Sequence, residues 1–301
     1  MGRRKPSPHH GLVLVDKEPG WTSHDVVAKS RGVLGTNKVG HAGTLDPPAT
    51  GLLLVGVGDM TRLLRFLTAL PKTYIGEVVF GSETDTLDDT GTVTATHDMG
   101  SVSIDDVRRA AATLTGAIEQ VPPMVSSIKI DGKRLHELAR EGKEVERPPR
   151  PVTVHQFTVG SPVDTHVFPI EVTVSSGTYV RTLAADLGTA LGGGAHLRNL
   201  RRTSAGSHRV EDAHLVGDVI APDHVLDPAD ALRDLATLDV DDAVTVEVGH
   251  GRPLERARLG LDDASDGPWA VRGGDGALLA VYGPHRPGYV KPEVVLPSAA
   301  R

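Results

Sequence analysis

The sequence predicts a mixed α+β fold followed by a small all-β segment. Three observations carry this. Short apolar runs bounded by turn formers interleave with capped stretches of helical period. They do so without the regular βαβ rhythm of a doubly wound sheet. A composition shift begins near Glu211, and from about Val240 the chain alternates in the strand manner, punctuated by Gly and Pro.

Leu12 to Val15 reads as a short buried strand. Thr22 with Asp25 three residues on is a capping-box signature, which predicts a helix from about Ser23 to Leu34. Gly40 to Thr50 reads as a loop rich in turn formers, and Leu52 to Val57 as a nearly continuous apolar strand. Ile75 to Phe80 is a further strand. Ser103 with Asp106 caps a second helix, running to about Leu114. Val152 to Val159 and Phe168 to Val174 are β-rich. Tyr179 to Leu191 places Leu183, Leu187 and Leu191 on one helix face. Residues 211 to about 238 are Asp-rich and read as helix-like. Val244, Val246 and Val248, then Ala270, Val271, Leu278, Leu279 and Val281, read as strands. The expected division is residues 1–238 and 239–301, with no internal repeat.

Composition narrows the chemistry. A chain of 301 residues fits one or two domains. With no Cys, disulfides, thiolate nucleophiles and Cys-based metal centres are excluded. No apolar run approaches the roughly 18 residues of a membrane span. Arg3, Arg4 and Lys5 are followed only by the short run Leu12 to Val15, so no signal-peptide core is expected, and Pro6 breaks a myristoylation pattern at Gly2. Cytoplasm is the expected location. Aromatics are 3% of residues and the net charge is −7, which on its face disfavours a nucleic-acid partner.

The most unusual segment is Gly40-His41-Ala42-Gly43-Thr44-Leu45-Asp46-Pro47-Pro48-Ala49-Thr50-Gly51. Pro47 and Pro48 forbid a helix interior, and the glycines permit tight turns and close backbone approach to a ligand. On residue types alone, Asp46 fits either an Asx turn ahead of Pro47 or a functional carboxylate at a rim.

Gly43 to Pro47 with Thr50-Gly51-Leu52-Leu53 resembles the catalytic motif of the bacterial TruB-type tRNA pseudouridine-55 synthases. Further blocks resemble the same family, in the same order. They are Gly20-Trp21-Thr22-Ser23-His24-Asp25, Lys72-Thr73-Tyr74, Gln120 to Lys129, Ser176 to Arg181, and Gly194-Ala195-His196-Leu197 to Leu200-Arg201-Arg202-Thr203. They span roughly residues 10–215, and the ordered set is far more specific than any one block. The resemblance implies a pseudouridine-synthase catalytic domain with a mixed, largely antiparallel central sheet flanked by helices, and a small C-terminal all-β PUA-like domain. It implies an isomerase that moves the uracil glycosidic bond of one T-loop uridine from N1 to C5.

The site residues follow from the matching positions. Asp46 is the expected catalytic carboxylate, since a carboxylate can attack and later leave. Arg181 is its expected counter-charge, through a bidentate guanidinium. Tyr74 is expected to stack on the extracted uracil and to help remove the C5 proton. Leu200 is expected to pack the uracil pocket, and His41 to stand where the target nucleotide flips out. Lys17, Arg198, Arg201 and Arg202 are expected phosphate contacts. Residues 129–150 match an RNA-clamping thumb and hold seven basic residues, among them Lys129 and Arg134, against five acidic ones. Val125 and His136 stand where many relatives carry an aromatic.

The implied partner is the T-arm of tRNA, with no cofactor, no metal, no membrane and no obligatory protein partner; a monomer is expected. A catalytically idle RNA binder on the same scaffold, a guide-RNA-dependent relative and a carboxylate glycosidase are the competing readings. The last would need a second catalytic carboxylate, and no paired motif near Asp46 supplies one. Split along the chain, the charge reads differently. Residues 1–75, 121–150 and 151–210 carry +5, +2 and +2, while 76–120 and 211–301 carry −7 and −9. Every site candidate lies in the positive segments.

Overall fold

The computed structural model describes residues 6–126, 129–130, 133–135, 138, 141, 143, 145–262 and 264–297. The chain opens with β1 (Gly11–Lys17), α1 (Ser23–Val33), β2 (Val39–Ala42), β3 (Thr50–Val57), α2 (Leu64–Ala69) and β4 (Lys72–Phe80). Next come β5 (Ser82–Thr84), β6 (Val93–Thr96), α3 (Ile104–Thr113), β7 (Gly116–Gln120), β8 (Lys129–Ile130) and β9 (Lys133–Arg134). Then follow β10 (Arg150–Val159), β11 (Val167–Val174), α4 (Val180–Ala190), β12 (Ala195–Ala205) and β13 (His208–Arg209). The C-terminal part holds α5 (Pro228–Ala231), β14 (Ala236–Asp239), α6 (Asp242–Gly249), β15 (Leu254–Glu255), β16 (Trp269–Arg272), β17 (Leu278–Pro284) and β18 (Tyr289–Val295).

A nine-stranded sheet runs β1-β3-β12-β4-β11-β10-β7, with β2 on β3 and β13 on β12. It is antiparallel except where β12 runs beside β3, pairing Arg201 with Thr50 and Arg202 with Gly51. The expected mixed, largely antiparallel sheet is therefore present. One of its faces packs α3 and α4 through Val78, Phe80, Val107, Ala111, Val172, Leu183 and Leu187. The expected face of α4 holds: Leu183 and Leu187 are buried and Leu191 is partly so. Both expected capping boxes are made. The Thr22 and Ser103 hydroxyls accept from the Asp25 and Asp106 amides, and those carboxylates accept in return from the cap N–H groups. These are bonds between neighbours three residues apart, which is why they are readable from sequence.

Three local expectations fail. The Gly40–Thr50 loop is shorter than predicted, because β2 pairs with β3, His41 opposite Val55. Strand pairing uses backbone groups and needs no apolar run. Residues 211–238 form turns, the single-turn α5 and then β14, not an extended helix. Val244, Val246 and Val248 lie on helix α6, capped by the Asp241 carboxylate accepting from the Val244 amide. Val244 and Val248 are buried four residues apart, while Val246 is 58% exposed. Three valines spaced by two fit either period, and the cap decides.

The C-terminal sheet runs β14-β16-β17-β18-β15. It starts at Ala236, slightly ahead of the expected division. It shares a core with the first sheet, in which Leu12, Leu52 and Leu54 meet Ala270, Leu278, Val281 and Leu296. Lys129 and Arg134 pair across the β8–β9 hairpin; their side chains lie outside the description. Leu135 and Leu138 of the insertion are buried, and His136 lies outside the described residues. Among the described residues no helix is long and apolar enough to cross a membrane.

Candidate active site

The site is built on the turn between β2 and β3, and five contacts from distant segments hold it. The Ser23 hydroxyl donates to the Leu45 carbonyl at 3.2 Å and accepts from the Leu45 amide at 2.9 Å. The Gly20 amide donates to the Pro47 carbonyl at 2.9 Å. Lys17 Nζ donates to the same carbonyl at 3.1 Å and to those of Trp21 and Glu18. Arg202 donates from Nη2 to the Gly43 carbonyl at 3.0 Å and from Nε to the Leu52 carbonyl at 2.6 Å. Gly51 sits at φ +97°, where a Cβ would stand 2.2 Å from the Arg202 carbonyl oxygen, so no other residue fits that position without displacing backbone. The Asp46 carbonyl accepts from the Ala49 amide at 3.1 Å, closing the turn.

Asp46 emerges from this frame with its side chain 39% exposed, and its Oδ2 lies 2.9 Å from Arg181 Nη2. The Arg181 side chain is 4% exposed. Its Nη1 also donates to the Thr86 carbonyl at 2.6 Å and its Nη2 to the Val125 carbonyl at 2.9 Å. The ion pair is present but not bidentate as expected: only Nη2 meets Asp46, because Nη1 is taken by the Thr86 carbonyl and the guanidinium is fixed on three sides. A pair held this way differs from an exposed one, which contributes little.

Asp88 is a second carboxylate at the same guanidinium, its Oδ2 3.7 Å from Arg181 Nη1. It is buried, and its Oδ1 accepts from the Thr86 and Thr90 hydroxyls and the Thr90 amide. Asp88 is not among the residues the motifs single out. Its only sequence signal is an Asp-Asp-Thr-Gly turn, and a bridge from Asp88 to Leu197 on β12 brings it home. Asp46 therefore has a carboxylate neighbour after all, but the two share one arginine and do not form a free pair.

A cleft of about 80 Å³ opens at the pair, lined by Asp46, Pro48, Ala49, Asp88, Asp89, Arg181, Leu197, Arg198, Asn199 and Leu200. Leu200 lies on its wall. Tyr74 is buried in the apolar cluster with Leu45, Ala49 and Leu200, and its ring centroid is 6.0 Å from the Arg202 guanidinium carbon. Arg198 reaches the cleft and is paired to Glu77, which also accepts from Asn199.

Two expected phosphate contacts are corrected. Lys17 and Arg202 are each 1% exposed; the Lys17 ammonium donates to three carbonyls, and Arg202 donates from Nε and Nη2 to the carbonyls named above. They pin the β2–β3 turn and, buried as they are, offer no cation to a surface ligand. Burial lowers the Lys17 pKa to about 8, an effect the nearby Asp46 charge opposes. Lys72 lies in the same layer, its Nζ donating to the Thr68 and Leu70 carbonyls, with its pKa likewise lowered by burial to about 8. Arg201 is paired side-on with Asp16 at 2.7 and 2.9 Å. His41 packs edge-on against His24, ring centroids 5.4 Å apart, and burial holds its pKa down to about 4. A neutral ring suits stacking, not phosphate binding. The side chain of Val125 has no part in holding Arg181, since the contact is to its backbone; the departure from an aromatic leaves that bond intact.

The sheet and the cleft together define a pseudouridine synthase fold. The same fold occurs in a chain of the crystal structure of a Cbf5-Nop10-Gar1 complex, with TM-score 0.75 and 24% identity over 97% of this chain and 91% of that one. A chain of an H/ACA RNP bound to a substrate RNA containing 2'-deoxyuridine matches at TM-score 0.72 and 23% identity, over 95% of this chain and 84% of that one. The family model described as TruB family pseudouridylate synthase (N terminal domain) matches residues 31–180. The model described as tRNA pseudouridylate synthase B C-terminal domain matches residues 181–235. The protein named tRNA pseudouridine synthase B from Arthrobacter sp. (strain FB24) is 42% identical over 95% of this chain and 96% of its own length. The one from Rhodococcus jostii (strain RHA1) is 46% identical over 82% and 85%. The chain belongs to the TruB family of pseudouridylate synthases, which are isomerases.

Proposed function

We propose that this enzyme converts uridine 55 in the T-arm loop of tRNA to pseudouridine, with Asp46 as the catalytic carboxylate. The observation that carries the reading is the Arg181–Asp46 pair in the lining of an open cleft. The names of the relatives, all tRNA pseudouridine synthase B, support the substrate class.

The reaction breaks the N1–C1' bond, rotates the detached uracil, forms a C5–C1' bond, removes the C5 proton and returns a proton to N1. No atom is gained or lost. Arg181 stands against the Asp46 carboxylate and holds it at the cleft. The carboxylate then serves as nucleophile at C1', as the base of a glycal-forming elimination, or as nucleophile at C6; all three begin from the same ionised group. A stacked base does not reach a carboxylate in the lining of a cleft, so the target nucleotide must leave its stack. In this reading Leu200 packs the uracil, Tyr74 takes part in the C5 proton transfer, neutral His41 stacks beside the flipped nucleotide, and Arg198 meets phosphate. Lys129 and Arg134 act in an RNA-clamping thumb of residues 129–150. Residues 1–238 form the catalytic domain and 239–301 a PUA-like accessory domain.

The test is incubation of purified protein with unmodified tRNA transcript, followed by pseudouridine mapping. Product at position 55 is expected from the wild type and none from Asp46→Asn, with tRNA affinity of the variant within about threefold, because a neutral isostere leaves the phosphate contacts in place. Absence of T-loop product from the wild type refutes the function. Turnover by Asp46→Asn refutes the role of Asp46.

A further inference from the structure

Helix α4 carries Arg181, yet its start has no side-chain cap of its own. Its N-cap residue, Tyr179, is extended (φ −101°, ψ 109°) and makes no capping bond through its side chain. Helices α1 and α3 close the same position with their own aspartates. In α4 an acceptor for the N-cap amide comes from 59 residues away. Gln120, the last residue of β7 and 2% exposed, accepts from the Tyr179 amide at 2.8 Å through Oε1. Its Nε2 donates to the Tyr179 carbonyl at 3.1 Å, beside the first helical bond from Leu183. Gln120 therefore performs the reach-back half of a capping box from another element.

We propose that Gln120 is a positioning residue for catalysis, fixing the first turn of α4 and thereby the Arg181 guanidinium that holds Asp46. The proposal rests on the functional reading above. Arg181 lies two residues beyond the clamped Tyr179, so the place of its Cα is set by that clamp. Its far end is held by the Val125 carbonyl, five residues after Gln120. One short stretch, 120–125, thus grips both the backbone root and the guanidinium of the same arginine. Arg147 Nη1 donates to the Pro122 carbonyl at 3.1 Å and ties the return limb of the 129–150 insertion to that stretch. Loosening the Gln120 clamp lets the helix start shift, and a misplacement of about 1 Å in a catalytic array costs on the order of a hundredfold in rate.

The test compares wild type, Gln120→Leu and Gln120→Glu on unmodified tRNA transcript, reading the single-turnover rate at saturating tRNA, the tRNA Kd and the unfolding midpoint. Gln120→Leu is expected to slow the single turnover by about tenfold or more while Kd stays within about threefold. Gln120→Glu keeps the acceptor and loses the donor while ionised. Its rate relative to wild type is expected to recover as pH falls from about 8 to about 5.5, where a buried carboxyl facing a carbonyl takes up a proton and donates again. A role in stability alone would move the midpoint without this split between rate and affinity and without the pH-dependent recovery. A Gln120→Leu rate within about twofold of wild type, or a rate loss matched by an equal loss of affinity, overturns the proposal. If Gln120→Leu does not fold, the Gln120→Glu profile decides, and a flat ratio to wild type overturns it. A wild type that makes no pseudouridine is a separate result, in which the function itself falls and this role with it.

Discussion

Replacing Arg181 by lysine keeps the charge and removes the fork, which isolates what the guanidinium geometry contributes. Two terminal nitrogens divide the work: Nη1 holds the Thr86 carbonyl at 2.6 Å, and Nη2 holds the Val125 carbonyl and Asp46, both at 2.9 Å. A lysine ammonium is a single point on a flexible stem and serves one of these two places, not both. If it stays with the carbonyl at Thr86, Asp46 loses its 2.9 Å ion-pair contact, which for a carboxylate 39% exposed contributes about 1 kcal/mol. At about 1.4 kcal/mol per tenfold in rate, that is a loss of roughly fivefold in single-turnover pseudouridine formation. If it follows Asp46 instead, a buried carbonyl is left without its donor, at about 1–3 kcal/mol of stability. The assay measures single-turnover rate at saturating tRNA beside the thermal unfolding midpoint, and at least one of the two must fall. A variant with wild-type rate and wild-type midpoint would refute the argument that the fork is needed.

Two further predictions follow from the corrected roles. Arg202→Leu is expected to lower unfolding stability by about 1–3 kcal/mol for each of the Gly43 and Leu52 carbonyls left bare, and to leave the salt dependence of tRNA binding unchanged. A surface phosphate contact would instead lower the salt slope by about one, so a salt titration of affinity distinguishes the two roles. For His41 the sign runs with acid. Its native pKa is held by burial at about 4, below its ordinary 6.5. Between these values the unfolded chain binds a proton that the native ring refuses, so stability falls as pH drops through that window. His41→Phe is expected to lose less stability than wild type over the same interval in denaturant titrations, and parallel curves would contradict it.

How much of the site was legible depended on how local each interaction is. The capping boxes of α1 and α3 are bonds between residues three apart, and both were readable. So were the apolar strands, because a run such as Leu52 to Val55 has no soluble alternative to burial. The valines at 244, 246 and 248 have a spacing that fits two periods, and the Asp241 cap chooses the helix. Asp46 and Arg181 were found through ordered motifs, not through geometry, since 135 residues separate them in the chain.

The amino-acid order by itself determined the capped helices, the apolar strands, the family and the two charges of the Asp46–Arg181 pair. Only the tertiary structure decided which cations are free. Lys17, Lys72 and Arg202 carry charges that the sequence cannot place, yet all three are buried against backbone carbonyls, Lys17 and Arg202 at the β2–β3 turn and Lys72 at the end of α2. Arg202 reaches acceptors 150 and 159 residues away. Tertiary structure likewise brought Asp88 to Arg181 and placed Gln120 against the start of α4. Charge is a property of a residue, whereas burial and hydrogen-bond partners are properties of whatever the folded chain sets beside it.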